Sequence, residues 1–338
     1  MRICLVGCLL LWIGTALAMN TLKDDAEARR LFQEFRNKHN KNYNGYGRLH
    51  FKSFMLQTLD VEKRFGIFKD NLKRAEEYQR NEQGTAKYGV TQFSDLTAEE
   101  FRAHFANAKL DHIPNVKRVR ASGVNDIPKS VDWREHGAVG PVEDQGYCGS
   151  CWAFSVTGNI EGQWFMKTKQ LITLSKQELL DCDYLDSACD GGYPPQTYEA
   201  IKMMGGLETQ MDYPYHAHRG VCFLEASKVA VYINSSVTID QSEVEQAKWL
   251  AQHGPMATVL NSEPLQFYRG GVLKPDRCSP EGLNHAVLTV GYGEENGIPY
   301  WLVKNSYGRS FGENGYFRLY RGEGTCGINL MATSAVIN

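Results

Sequence analysis

No stretch of the 338-residue chain is apolar for the roughly 20 residues that a membrane-spanning helix requires. Charges of one sign are not run together either: Lys and Arg are interleaved with Asp and Glu, which argues against a nucleic-acid-binding arm. Internal repeats and low-complexity segments are absent. Cysteine is missing between Met19 and Val124, and that part is the basic one, with 20 Lys and Arg against 14 Asp and Glu. From Asn125 to Asn338 the balance reverses, 16 against 25, so a net charge of only −2 conceals two oppositely charged parts. Such parts attract one another, and the length suffices for more than one domain.

The chain starts with Arg2, an apolar run from Ile3 to Ile13, and Ala16-Leu17-Ala18, which together read as a secretory signal peptide over Met1–Ala18. The run is too short for a span, and the reading places the rest of the chain in an oxidising compartment. Asn234-Ser235-Ser236 is then a glycosylation sequon on Asn234. Of nine cysteines, Cys4 and Cys8 leave with the signal, and Cys148, Cys151, Cys182, Cys189, Cys222, Cys278 and Cys326 remain. Six can pair; one is left over, which in a secreted protein flags a reactive thiol.

Cys151 suits that role. It follows the glycine-containing loop Gln145-Gly146-Tyr147-Cys148-Gly149-Ser150, and the apolar residues Trp152, Val156, Ile160 and Trp164 after it recur at helical spacing. A thiol at a helix N-terminus ionises more readily than a free one, and the thiolate is the nucleophile.

The first part is helical in pattern. Asp24–Asn37 carries Ala28, Leu31, Phe32 and Phe35, and Asp60–Gln83 carries Val61, Phe65, Phe68, Leu72, Ala75 and Tyr78, both at three- and four-residue spacing. Thr97-Ala98-Glu99-Glu100 and Ser175-Lys176-Gln177-Glu178 read as capping boxes that start helices. His112–Asn125 reads as an exposed linker, and from about Ser236 onward strand signals dominate.

His285–Val290 and Pro299–Asn305 flank Glu294-Glu295-Asn296-Gly297, an Asn-Gly hairpin signal. A turn centred on 295–296 sets His285 opposite or next to Asn305, with Gly291 and Gly293 able to shift the register through a bulge. An imidazole oriented by a carboxamide is what a nucleophilic cysteine needs as its base. Sequence spacing alone does not bring Cys151 to that pair.

Gln145–Trp152, Asn284-His285-Ala286 and Asn305-Ser306-Tyr307-Gly308 resemble the three active-site blocks of papain-like cysteine proteases, for which Cys-Gly-Ser-Cys-Trp is a known local signature. The resemblance runs from about Asp24 to the C-terminus. It implies an α+β, papain-like two-domain fold, with a helical left domain over 125–235 and a β-barrel-like right domain over 236–338. A helical inhibitory pro-region over 19–124 precedes them. It implies a cysteine endopeptidase made as a zymogen, in which Cys151 is the nucleophile, His285 the general base and then acid, and Asn305 the orienting group. Gln145 then donates its side-chain amide to the oxyanion together with the Cys151 backbone N–H.

The same resemblance implies disulfides Cys148–Cys189, Cys182–Cys222 and Cys278–Cys326, leaving Cys151 free. Gly191 and Gly192 correspond to positions that line the substrate backbone site, Asn284 to a further substrate-binding position, and Tyr193, Pro194, Val259, Leu283 and Met331 to the S2 pocket. All five are apolar or aromatic, so a bulky hydrophobic P2 residue is expected and Arg there is not. No cofactor or metal is implied. The implied partners are protein and peptide substrates, the chain's own pro-region as intramolecular inhibitor, and cystatin-type inhibitors. A monomer in the lysosome or outside the cell is expected, and nothing resembles the extra loop that gives some relatives exopeptidase activity.

Asp60, Arg64, Phe68, Asn71, Ala75 and Gln79 resemble the cathepsin F-type variant of the family's pro-helix signature, and Gly89, Thr91, Phe93 and Asp95 match its second pro-region block. A basic pro-region on an acidic enzyme suggests that acidification weakens their attraction and permits processing near residues 120–127. Tyr307 and Phe311 stand where the family usually has Trp, so a thinner shield over the His–Asn bond and reduced activity are expected. Arg48–Leu59 reads as an insertion, a loop without counterpart. A catalytically weak binding paralogue and an acyltransferase are the competing functions; the intact Cys, His, Asn and Gln disfavour the first, the peptide-cleft positions the second.

Overall fold

The structure is a computed structural model that describes residues 24–43, 52–110, 115–121 and 126–338, with side chains from Leu59 onward in the second stretch. The expected signal peptide, the Val124/Asn125 boundary and residues 48–51 lie outside the described residues. The chain forms two compact units, one of the described residues up to Arg74 with Gln92–Thr97, the other of Ala75–Thr91 with Ala98–Asn338.

The first unit contains helix α1 (24–38) and most of α2 (Lys52–Arg80). The predicted insertion therefore joins a helix from Lys52 on; its sequence holds no Gly or Pro to stop it. Phe32, Phe35, Phe65 and Phe68, the apolar stripes read from the sequence, are buried against one another at ring separations such as 5.2 Å for Phe35–Phe68. Asn71 Nδ2 donates to the carbonyls of Ser94 (2.9 Å) and Leu96 (2.8 Å), and Arg64 donates to that of Asp95. The signature polar residues of α2 thus hold the second pro-region block by its backbone.

In the second unit, β1 (Lys87–Tyr88) pairs with β6 (Tyr268–Gly270), and α3 (Ala98–Phe105) follows Thr97. Within the expected linker, β2 (Arg118–Val119) pairs in parallel with β4 (Ser235–Ile239); 111–114 and 122–125 lie outside the described residues. Next come β3 (Val131–Asp132) and the helices α4 (Cys151–Thr168), α5 (Gln177–Cys182) and α6 (Pro194–Met204). The strand-rich part has α7 (Glu243–His253), β5 (Met256–Leu260), β7 (Val272–Leu273), β8 (His285–Glu295), β9 (Ile298–Lys304), β10 (Tyr316–Tyr320) and β11 (Ala332–Val336). Its sheet runs β2-β4-β11-β5-β8-β9-β10-β7, with β3 on β8.

α4 is buried because it lies on β8. Ser155 Oγ donates to Val287 O at 2.6 Å, and a Cβ at Gly158 would stand 3.0 Å from Leu288. One turn after Cys151 is therefore tied to the strand two residues after His285. At α5, Ser175 Oγ accepts the N–H of Glu178, but the reciprocal half of the capping box is missing: the Glu178 carboxylate accepts the N–H of Glu208 instead. The disulfides Cys148–Cys189, Cys182–Cys222 and Cys278–Cys326 are formed, and Cys151 is free.

The hairpin corrects one expectation. Its turn residues are Asn296 and Gly297, both at positive φ (53° and 82°) as a type I′ turn requires, one residue later than expected. Glu295 faces Ile298, the register slips between Thr289 and Gly291, and Leu288 then faces Lys304. His285 is consequently not in register with Asn305, which follows the end of β9; their side chains nevertheless meet.

Candidate active site

Cys151 opens α4 with its side chain fully buried. Burial pushes its thiol up, opposed by backbone N–H groups of Ala286, Asn107, Trp152 and Ala108 that face the sulfur. Since Ala286 adjoins His285, the fold sets the thiol beside the start of β8, which sequence spacing could not show.

His285 Nε2 lies 2.8 Å from Asn305 Oδ1. That oxygen also accepts the N–H of Ser306 at 2.9 Å, which fixes the amide's orientation, so His285 donates from Nε2 and keeps a lone pair on Nδ1. Among the described residues neither the buried Nδ1 nor Asn305 Nδ2 has a hydrogen-bond partner. Burial pushes the imidazole down to about 4, against the opposing effect of the Asn305 bond. The Tyr307 ring stacks on His285 at 4.9 Å with Phe311 edge-on behind it. At this position, where a thinner shield is expected, Tyr307 is fully buried.

Gln145 is buried beside this group. Its Oε1 accepts the Ser306 hydroxyl, and its Nε2 donates to Cys148 O (2.9 Å) while facing the carbonyls of His104 (3.3 Å) and Phe105 (3.5 Å). The donor expected to face an oxyanion is thus turned toward Cys148 O and the carbonyls that end α3, just before the segment that follows it.

That segment was not singled out by the sequence, since Ala106-Asn107-Ala108-Lys109-Leu110 carries no motif. Ala108 donates its N–H to Asn284 O at 2.7 Å, and Lys109 donates to Gly192 O at 2.9 Å. An extended strand therefore lies over the thiol, held by the backbone of two of the predicted substrate positions. A Cβ on Gly191 would come 2.0 Å from Asn107 O, so only glycine there admits the strand this closely, and one on Gly192 would come 2.5 Å from the Trp152 ring. Val259, Leu283 and Met331 belong to the apolar cluster that includes Ala108, with Tyr193 and Leu110 packed against it. Pro194 is buried at the first turn of α6. Asn284 Oδ1 accepts the N–H and hydroxyl of Ser262. Asn234 is exposed, away from these residues in the chain.

Behind Asn305 and Ser306 lies a charged group that sequence reading passed over. Lys176, buried, reaches Glu143 at 2.6 Å and Glu161 at 3.1 Å, with buried Lys304 next along the chain to Asn305. Burial holds Lys304 below its ordinary value.

Comparison with known proteins bears on what this arrangement is. A model of the papain family cysteine proteases matches residues 127–336, and one of the cathepsin propeptide inhibitor domain (I29) matches residues 32–101. The chain is 48% identical to cathepsin F of Mus musculus over 311 residues, 91% of this chain and 65% of that protein. It is 44% identical to cathepsin F of Drosophila melanogaster over 297 residues, 83% of this chain and 48% of that protein. The chain thus spans about two-thirds and half the length of these curated relatives. A solved structure of digestive procathepsin L 3 from the larval midgut of Tenebrio molitor matches with TM-score 0.79 at 32% identity, covering 92% of this chain and 99% of that one.

Proposed function

Because the chain belongs to the papain family of cysteine proteases and carries the propeptide inhibitor domain, we propose that it is a cysteine endopeptidase made as a zymogen in the secretory pathway, for the lysosome or for export. The observation that carries this reading is the unpaired Cys151 thiol beside the His285–Asn305 pair, under a strand that is hydrogen-bonded to the backbone carbonyls of Asn284 and Gly192.

Once the strand leaves, a substrate in its place presents a carbonyl to Cys151. His285 Nδ1 takes the thiol proton, and Sγ adds to the carbonyl carbon. The oxyanion is met by the Cys151 backbone N–H and the Gln145 amide. The proton on Nδ1 then passes to the leaving amine as the C–N bond breaks, giving a thioester. Water, deprotonated by the same nitrogen, hydrolyses it and restores the thiol. Asn305 keeps the ring oriented through its bond to Nε2.

The apolar residues Tyr193, Pro194, Val259, Leu283 and Met331 support a bulky hydrophobic P2 residue. The test is to acid-activate the full-length protein and follow labelling by an irreversible thiol-directed epoxide alongside cleavage of Leu-Arg and Arg-Arg fluorogenic dipeptides. Labelling with cleavage and a Leu-Arg preference supports the reading. A preference for Arg-Arg overturns the P2 assignment, and labelling without cleavage points to a catalytically weak binding paralogue.

A further inference from the structure

The loop from Asp183 to Tyr193 forms one wall beside Cys151, and two acids are buried inside it. Asp183 and Asp186 are 1% and 7% exposed. Asp186 Oδ1 accepts the N–H of Tyr193 at 2.7 Å, and its Oδ2 accepts the Thr197 hydroxyl at 2.8 Å. Asp183 Oδ1 accepts the N–H groups of Leu185 and Asp186 at 2.8 and 3.1 Å. Among the described residues no N–H or O–H donor reaches the buried Asp183 Oδ2, and the Asp186 carboxyl is within hydrogen-bonding reach of Asp183. Two buried carboxyl groups in contact cannot both carry charge at little cost, whereas one proton between them supplies the missing donor.

The surrounding charges do not replace that proton. Arg219 favours a charged Asp183, but from the surface, where water screens it. Lys109 donates to Ser187 Oγ, Asp190 is exposed on the same loop, and the Arg118 charge acts on Tyr193.

We propose that Asp183 and Asp186 share one proton and together act as positioning residues for the wall Gly191-Gly192-Tyr193, which is firm while the proton is bound and loosens when it leaves. The link is short. Asp186 holds the N–H of Tyr193, whose preceding residue offers the carbonyl that Lys109 bonds, and Trp152 Nε1 donates to Ala188 O on the same loop. A second negative charge drives the two carboxyl groups apart, and where Asp186 is the one that moves, the Tyr193 N–H is a bond it gives up. Burial and the neighbouring Asp183 charge push Asp186 up to about 7, so the proton leaves around neutral pH and the wall is firm in acid. That this wall serves a substrate rests on the protease reading above.

The experiment follows hydrogen exchange of the Tyr193 amide in the full-length Cys151→Ala protein between pH 5.5 and 8, corrected for intrinsic exchange. Protection in the parent is expected to fall at least ~10-fold across this range. Asp186→Asn, whose amide donates to Asp183 without a titrating proton, is expected to hold protection constant; Asp183→Asn serves if that variant does not fold. A flat parent profile, or an equal fall in the variants, overturns the shared proton. Glu178, pushed up to about 7 by burial, also lowers stability across this range, so global melting is not the readout. In the processed enzyme, KM of a peptide substrate is expected to rise with pH in the parent and not in Asp186→Asn, with little difference in the pH profile of kcat. Normal exchange behaviour with unaltered KM profiles overturns the positioning role. The exchange arm needs no proteolysis, so an inactive enzyme would count against the protease reading alone.

Discussion

His285, next to the Ala286 that faces Cys151, and Asp186, inside the loop that leads to Tyr193, are both buried, and burial drives their titrations in opposite directions. The imidazole is pushed down to about 4 because its charged form is the protonated one; the carboxyl is pushed up to about 7 because its charged form is the deprotonated one. As pH falls from the ordinary His value of 6.5 toward 4, the covered state loses stability by whatever part of the His285 burial the strand supplies, since a more open state binds the proton more readily. The contribution of Asp186 is fully present below the ordinary carboxylate value of 3.8 and is lost as pH rises through about 7. Acid therefore loosens the cover and firms the wall. One change in pH favours both halves of activation, a more local route than the general weakening of attraction between basic and acidic parts.

The comparison assumes that neither group has an ionic partner, and the Lys176 cluster shows what partners do. Lys176 is about as deeply buried as His285, yet burial, the largest single effect and a lowering one, is outweighed by Glu161 and Glu143 together, which hold it above its ordinary value. Lys176→Met leaves Glu161 buried without that bond, and its expected cost is the largest here, about 3–5 kcal/mol. Urea unfolding of the full-length Cys151→Ala protein measures it. A loss below about 1 kcal/mol would mean that these charges are not mutually compensated, and the contrast with His285 would fail.

The next effect concerns the cover itself. A shift from 6.5 to about 4 corresponds to roughly 3 kcal/mol between the two protonation states, so on the order of 100-fold in the opening equilibrium between pH 6.5 and 4 is the upper bound, reached if the strand supplies all of the burial. Exchange of the Ala108 amide, which donates to Asn284 O, reports opening directly. In the Cys151→Ala protein its protection should fall by up to about that factor, beyond intrinsic exchange, and adding His285→Gln should flatten the profile. An undiminished fall in the double variant would assign acid opening to groups other than His285.

How much of this was legible in the sequence depends on the range of the interaction. Helix faces, the Cys151 helix start and the Asn296-Gly297 turn are local patterns, and they were readable to within a few residues. The meeting of His285 with Asn305 was foreseen through a register that proved to be off, because a bulge and a one-residue shift of the turn are decided by packing. The covering strand was invisible: its bonds are made by backbone N–H groups, which every non-proline residue has. The two buried acid sites were equally hidden. Asp183 and Asp186 look like ordinary loop residues, and Lys176 like the exposed second residue of a capping box, until tertiary contacts remove their water.

Tyr307 joins the cover to the His285–Asn305 pair, and it gives the smallest effect. Its ring lies on His285, while its hydroxyl donates to Phe105 O at 2.9 Å, with the Phe105 ring edge-on at 5.8 Å. Tyr307→Phe keeps the ring and removes one hydrogen bond to the cover. Because Gln145 Nε2 still faces the same carbonyl, the cost should be no more than about 1 kcal/mol, or roughly fivefold in opening. Epoxide labelling of Cys151 in the full-length protein at pH 7 should quicken by that factor. Tyr307→Trp extends the shield over the His285–Asn305 bond and should raise kcat of the processed enzyme. If Tyr307→Phe labels no faster while Tyr307→Trp raises kcat, the residue serves the His285–Asn305 pair alone, and the cover is held by Ala108 and Lys109 without it.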